Sequence, residues 1–277
     1  MISGRTLVVA HIGYPTESFK APLIYNPWFE QQGIDAVVVP MACRAGDYEA
    51  LLRPLFRLAN VRGALVTMPH KVATVALLDE ASTAVKVAGA CNAIVRRDDG
   101  TLAGDMFDGA GYVRGAKRKG FRFEGTRCLI VGSGGVGSAI AASIAAERVD
   151  ALMLFDVDAG AADALASRLR AHHPGVDVRT GARDPHGYDM VVNATPLGMN
   201  DADPLPFDVA RLSAGTFVGE VVMKREMTPL LQAAQARGCP FQVGTDMLFE
   251  MIPAYLEFFG FGTATPEALR AVAKVSY

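Results

Sequence analysis

The sequence predicts an α/β protein of two domains, and three observations carry that prediction. A chain of 277 residues with 51% apolar side chains is long enough to bury two cores. Strand and helix signals alternate through the first hundred residues, with the long connections that parallel βαβ units need. Farther on, the apolar run 128–131 leads straight into Gly132-x-Gly134-x-x-Gly137 and then into Ala- and Ile-rich sequence with helical spacing.

In chain order, residues 6–12 predict the first strand, and a Pro- and Gly-containing loop leads to a helix over 21–32. A second strand covers 36–41, and 48–58 is helical with Leu51, Leu55 and Leu58 on one face. The third strand, 63–67, stops at Met68-Pro69, and a helix follows over 72–78. Residues 93–97 and 101–102 predict a hairpin around Asp98-Asp99-Gly100. A loop over 104–109 and a helix then lead into the second domain. There, 159–171 and 229–237 are helical, the latter ending at Gly238, and 190–193 and 216–222 are buried strands. The Met- and Phe-rich helix 247–259 is expected to return to the first domain, since a nucleotide domain of ~140 residues is complete without it. The expected boundaries are 1–103, joined by 245–277, and 104–244.

The glycine run implies a Rossmann-type dinucleotide site. Gly132 permits a tight turn, Gly134 lets the backbone approach a pyrophosphate, and Gly137 lets helix and strand pack closely. Ser133, Gly135 and Val136 lie between them, and the helix N-terminus favours the phosphate charge. A second strand, 151–155, ends in Asp156, about 20 residues beyond Gly137, where a carboxylate binds ribose hydroxyls. An acid there repels a 2′-phosphate. NAD is therefore favoured, with NADP the second choice.

Other classes are set aside on composition. A net charge of -2 gives no footprint for nucleic acid or an anionic membrane. No apolar run reaches the ~18 residues of a membrane span. The N-terminal sequence has no signal-peptide pattern, so a cytoplasmic protein is expected. Cys43, Cys91, Cys128 and Cys239 are scattered among apolar and small residues without ligand spacing, which predicts buried thiols and no metal site. His172-His173 closes a polar helix and is expected to be solvated.

Several further motifs resemble the shikimate dehydrogenase family. They run in order along nearly the whole chain: Gly13-x-Pro15 with Pro22 and Asn26; Val66-Thr67-Met68-Pro69-His70-Lys71; Gly89-Ala90-Cys91-Asn92-Ala93-Ile94; Gly104-Asp105-Met106-Phe107-Asp108-Gly109; Asn193-Ala194-Thr195-Pro196-Leu197-Gly198-Met199; Thr228-Pro229-Leu230-Leu231; and Gly244-Thr245-Asp246-Met247-Leu248. The resemblance implies that Lys71, Asn92 and Asp108 grip the hydroxyls around the carbon that loses hydride, in a cleft between the domains. The chemistry asks for such residues independently. Oxidising a secondary alcohol requires a proton acceptor at its oxygen, and an amide can donate to and accept from a neighbouring hydroxyl. His70 is expected to have a structural role. Cofactor contacts are implied at Asp156 and Asp158, at Asn193, Ala194 and Thr195, and at Gly219 and Gly244, where the backbone would approach the nicotinamide.

The substrate wall departs from the family. Phe19 and Ala21 stand where two carboxylate-binding serines are usual, Leu65 replaces an asparagine, and Met106-Phe107 replaces Asn-Thr. Met223 replaces a tyrosine and Met251 a glutamine, while Thr67 is kept. The turn Asp156-Val157-Asp158 lacks the arginine that takes the NADP phosphate, though Arg183 lies near the next strand. Ser18, Lys20 or Lys224-Arg225 would be needed to hold a carboxylate instead. The implied activity is NAD(P)-dependent oxidation of a ring secondary alcohol of the shikimate or quinate kind, weak on shikimate itself. The alternatives are a shikimate 5-dehydrogenase of aromatic amino acid biosynthesis with a rebuilt carboxylate site, and an NAD-binding sensor without turnover. The expected partner is a small-molecule substrate, on a monomer or homodimer.

Overall fold

The computed structural model describes residues 2–275. The chain divides into two compact units, one running up to Phe107 and resuming at Met251, the other spanning Asp108–Glu250. Both junctions fall later than the expected 103/104 and 244/245. A strand continues to Asp105, and Gly244 opens a helix where a boundary was expected.

The first unit holds β1 (Leu7–Gly13), β2 (Ala36–Ala42), β3 (Val61–Val66), β4 (Glu80–Ala81), β5 (Ala93–Arg96) and β6 (Leu102–Asp105). They form one six-stranded sheet in the order β2-β1-β3-β5-β6-β4. β1 is parallel to both β2 and β3, as the alternating pattern requires, whereas β5 is antiparallel to β3 and β6. The crossover helix Pro22–Gln32 begins on a proline, whose missing N–H has no intrahelical partner to lose, and ends at Gly33 in the left-handed region (φ 66°). The expected hairpin is β5–β6, its turn closed by Arg97 N–H donating to the Thr101 carbonyl at 2.9 Å. The expected helix 72–78 is a single turn, Lys71–Thr74, followed by a 3₁₀ turn. β4 and the helices Thr83–Ala88 and Pro266–Val272 are additions. Each is too short for its period to stand out.

The second unit holds β7 (Arg127–Val131), β8 (Ala151–Phe155), β9 (Asp177–Thr180), β10 (Met190–Asn193), β11 (Phe217–Glu220) and β12 (Phe241–Gln242). All are parallel, in the order β12-β11-β10-β7-β8-β9. Chain order reverses between β7 and β10, the switch point at which open parallel sheets bind ligands. The central strands are continuous apolar runs because helices cover such sheets on both faces. Leu129, Val131, Val191 and Val218 pack with Leu230 and Leu231 of the helix Pro229–Ala236. β9 went unpredicted because Asp177 and Arg179 flank its one buried residue, Val178. β12 is only two residues long. All four cysteines are free and buried.

Within this unit the helices Asp108–Arg118 and Gly135–Ala145 approach so closely that a Cβ at Gly109 would run into the Ala139 carbonyl and Ser143. We expect Gly109→Ala to destabilise the protein by about 1–3 kcal/mol. The change should appear as a lower urea midpoint with an unchanged slope. An unchanged midpoint would show that the helices can part without cost.

Candidate active site

The glycine loop after β7 is built as a cradle. Gly132 adopts φ 109° and donates its N–H to the Phe155 carbonyl at 2.7 Å, while a Cβ on it would stand 2.6 Å from the Ala194 carbonyl. Gly137 abuts the Gly132 carbonyl, which locks helix to strand. Gly134 differs, since a Cβ there would meet nothing within 4 Å. Gly135 and Val136 begin the helix, which has no side-chain cap. The Ser133 hydroxyl is buried beside this space without a hydrogen-bond partner. Open backbone, uncapped helix N–H groups and an unpartnered hydroxyl fit the pyrophosphate of a dinucleotide.

Asp156 braces the loop. Its Oδ2 accepts from Ser133 N–H at 2.6 Å and its Oδ1 from Asp158 N–H at 3.0 Å. Asp158, expected at the cofactor, instead caps the helix Ala159–His172, its Oδ1 accepting from Gly160 and Ala161 N–H. Val157 between them is 93% exposed. The guanidinium of Arg183 lies over the Phe155 ring at 5.4 Å.

On the other side of the switch point, Asn193 is fully committed to protein. Its Nδ2 donates to Glu220 Oε1 and to the Leu197 carbonyl, both at 2.9 Å, and its Oδ1 accepts from Thr195 N–H and hydroxyl. It therefore shapes the loop that presents Ala194 and Thr195, both half-buried. Gly219 and Gly244 were expected to make room for a nicotinamide. Protein fills the space beside each: a Cβ on Gly219 would strike the Tyr112 hydroxyl, and one on Gly244 the Val222 carbonyl.

Glu220 was not anticipated. Its Oε1 accepts from Asn193 Nδ2, Val221 N–H and Val222 N–H, and its Oε2 from the Thr228 hydroxyl at 2.8 Å. Burial nevertheless holds its carboxyl above the usual carboxylate range. Its signal was a lone acid in the apolar run Phe217-Val218-Gly219-Glu220-Val221-Val222.

In the first unit, Lys71 is 9% exposed at the start of its short helical turn, its carbonyl accepting from Cys91 N–H at 2.8 Å. His70 fixes that turn. Its Nε2 donates to the Cys43 carbonyl at 2.8 Å, and its ring stacks on Tyr48 with centroids 4.0 Å apart. Asn92 is fully buried, and its Oδ1 accepts from Phe107 N–H at 3.0 Å. Asp108, the first residue of the second unit, is buried at the start of its helix. Phe107 packs edge-on against Tyr255 and Phe258.

The altered wall lies in the same unit. Ala21, Leu65, Met106 and Met251 are buried, and Thr67 and Phe19 are half-buried. The Phe19 ring stacks on His11 at 4.1 Å. Burial, and then the nearby Lys71 charge, lower the His11 pKa to about 3, so its imidazole is neutral. His11 too was missed, though a single histidine inside Val8-Val9-Ala10-His11-Ile12 is a visible break in an apolar strand. In the second unit Met223 is half-buried, Lys224 Nζ donates to Asn200 Oδ1 at 3.4 Å and Arg225 pairs with Asp201 at 2.6 Å. Ser18 is exposed.

Comparison with known proteins follows the same division. The family model of the shikimate dehydrogenase substrate binding domain matches residues 11–94. A shikimate dehydrogenase (NADP(+)) of Acidiphilium cryptum is 33% identical over 275 residues, covering 99% of this chain and 98% of the relative. A quinate dehydrogenase from Corynebacterium glutamicum, solved in complex with NAD, matches at TM-score 0.85 and 29% identity over 96% of this chain and 98% of that one. A shikimate dehydrogenase from Aquifex aeolicus matches at TM-score 0.89 and 21% identity over 99% and 100%, a likeness of fold.

Two outcomes follow from this geometry. Gly134→Ala should leave the unfolding free energy within ~0.5 kcal/mol of the parent. By calorimetry it should weaken dinucleotide binding about tenfold or more. For Glu220 the raised folded-state pKa means that its stabilising contribution is present at acid pH and lost as pH rises through that value. Glu220→Gln does not titrate, so its urea midpoint relative to the parent's should shift in the variant's favour as pH rises above the ordinary carboxylate range. A difference constant with pH would contradict this.

Proposed function

Because this chain belongs to the shikimate dehydrogenase family, we propose that it is an NAD(P)-dependent oxidoreductase acting reversibly on a ring secondary alcohol for which shikimate itself is a poor substrate. The observation that carries this reading is the contrast between a retained, buried trio, Lys71, Asn92 and Asp108, and an apolar wall at Phe19, Ala21 and Leu65.

Lys71 Nζ takes the hydroxyl proton as the alcohol is oxidised and returns it in the reverse direction. Asn92 and Asp108 hold hydroxyls so that one carbon faces the cofactor. Asn92 is suited to this because Phe107 N–H fixes its amide orientation. A nicotinamide dinucleotide, when bound, would supply hydride transfer. Ser133, Gly134 and the first turn of the Gly135–Ala145 helix would hold its phosphates, and Asp156 its ribose.

A buried carboxylate without donors costs several kcal/mol. Of the groups that could restore donors, Arg225 pairs with Asp201, Lys224 donates to Asn200 and Ser18 is exposed, while Lys20 is half-buried in the first unit. The activity named for the Acidiphilium relative supports a second reading, shikimate oxidation through a rebuilt carboxylate site. The two are separated by initial rates over shikimate, quinate and neutral ring alcohols. Strong turnover of a ring alcohol other than shikimate supports the first, and efficient turnover of shikimate supports the second. Under either, Lys71→Ala should lose at least about a hundredfold in kcat with cofactor affinity intact.

For the cofactor we propose a preference for NAD, because the Asp156 carboxylate and the small Val157 side chain offer nothing to a 2′-phosphate. The double variant Asp156→Asn/Val157→Arg should shift the NAD/NADP ratio of kcat/KM towards NADP by about tenfold or more. An unchanged ratio would overturn the assignment.

A further inference from the structure

His11 stands on β1 in register with Leu65 of β3, and partners across neighbouring strands share a sheet face. Its side chain therefore lies beside the apolar wall. The residue is 8% exposed, yet its Nδ1 is buried without a hydrogen-bond partner. Leaving such a nitrogen unpaired is unfavourable, and an apolar side chain of similar shape would avoid the cost. The stacked ring of Phe19 covers one face. Gly13, two residues along the strand, leaves the space into which Phe19 and Thr67 lean, since a Cβ there would touch both. The Lys71 charge acts on this imidazole, so the unpartnered Nδ1 and the proposed proton carrier lie in one locality.

We propose that His11 is a specificity-determining residue, its imidazole meeting an uncharged polar group, a hydroxyl or carbonyl oxygen, on the ring alcohol that Lys71 deprotonates. This rests on the reading of the site given above and narrows it. A neutral imidazole both donates and accepts, so it pairs with a hydroxyl in either sense. It brings no positive charge with which to hold a carboxylate. The substrate class is thus a polyhydroxylated ring carrying an uncharged oxygen at the wall made by His11 and Phe19.

The test compares the parent with His11→Leu and His11→Asn, using a neutral cyclohexane polyol such as inositol and its carboxylated counterpart quinate as probes. Rates, equilibrium binding of each probe and urea midpoints are measured. His11→Leu should raise KM and Kd for the neutral polyol about tenfold or more. Its kcat should stay within about threefold, and its midpoint should equal or exceed the parent's. His11→Asn, which restores a donor and an acceptor, should recover part of the affinity. If the parent turns over a ring alcohol and His11→Leu leaves KM and Kd unchanged, this inference is overturned while the proposed activity stands. If no probe is turned over but the polyol binds in a His11-dependent way, the proposed activity falls, His11's role in specificity of turnover falls with it, and only its contact with the polyol stands. If neither probe binds, both fall. A loss of kcat and midpoint together, with KM unmoved, would assign His11 a purely structural role.

Discussion

Close approach of backbone to backbone is the constraint on which the nucleotide-binding unit depends. Gly137 rests on the Gly132 carbonyl, and Gly132 in turn backs onto the Ala194–Thr195 loop. Neither contact leaves room for a side chain, so two segments far apart in sequence, 132–137 and 194–195, are drawn to one point where chain order reverses. The same economy recurs at Gly109 against Ala139 and at Gly219 against Tyr112. Gly134 is the exception that gives the arrangement a use, because its side faces open space.

The first unit solves a different problem, keeping a cation nearly out of water. Lys71 begins a turn too short to hold itself, and its neighbour His70 anchors it through a ring stack on Tyr48 and a hydrogen bond to Cys43. Tyr48 is in turn bonded to Thr74 at the end of the same turn. Pre-ordering of this kind lowers the entropy lost when a substrate is gripped. On the neighbouring strand His11 lies in register with Leu65 and carries a buried Nδ1 without a hydrogen-bond partner.

Much of this was legible in the sequence, for physical reasons. The Cys128–Val131 run, the glycine spacing and the acid at Asp156 form a local signal in which period, turn chemistry and charge agree. Long strands and helices with a strong period were placed within a few residues. β4 and β12 were missed because a strand of two residues has no period to display, and β9 because charged residues flank its one buried side chain. Roles that depend on who sits nearby were hidden. Asp158 reads in sequence as a cofactor contact, and only the structure shows its carboxylate capping a helix at Gly160 and Ala161 N–H. Asn193 looked like a cofactor contact until its amide was found fully paired within the protein. Glu220 and His11 each announced themselves as one polar letter in an apolar word, but only distances reveal that one is saturated and the other unpartnered.

The four hydrogen bonds that converge on Glu220 have a dynamic consequence. Donors from β10, from the turn after β11 and from the Thr228 cap of the next helix all end on one carboxylate. Displacement of Glu220 would strand all four donors at once in a dry interior. The C-terminal ends of β10 and β11 therefore open as a single cooperative unit, and their amide protons exchange with solvent together or not at all.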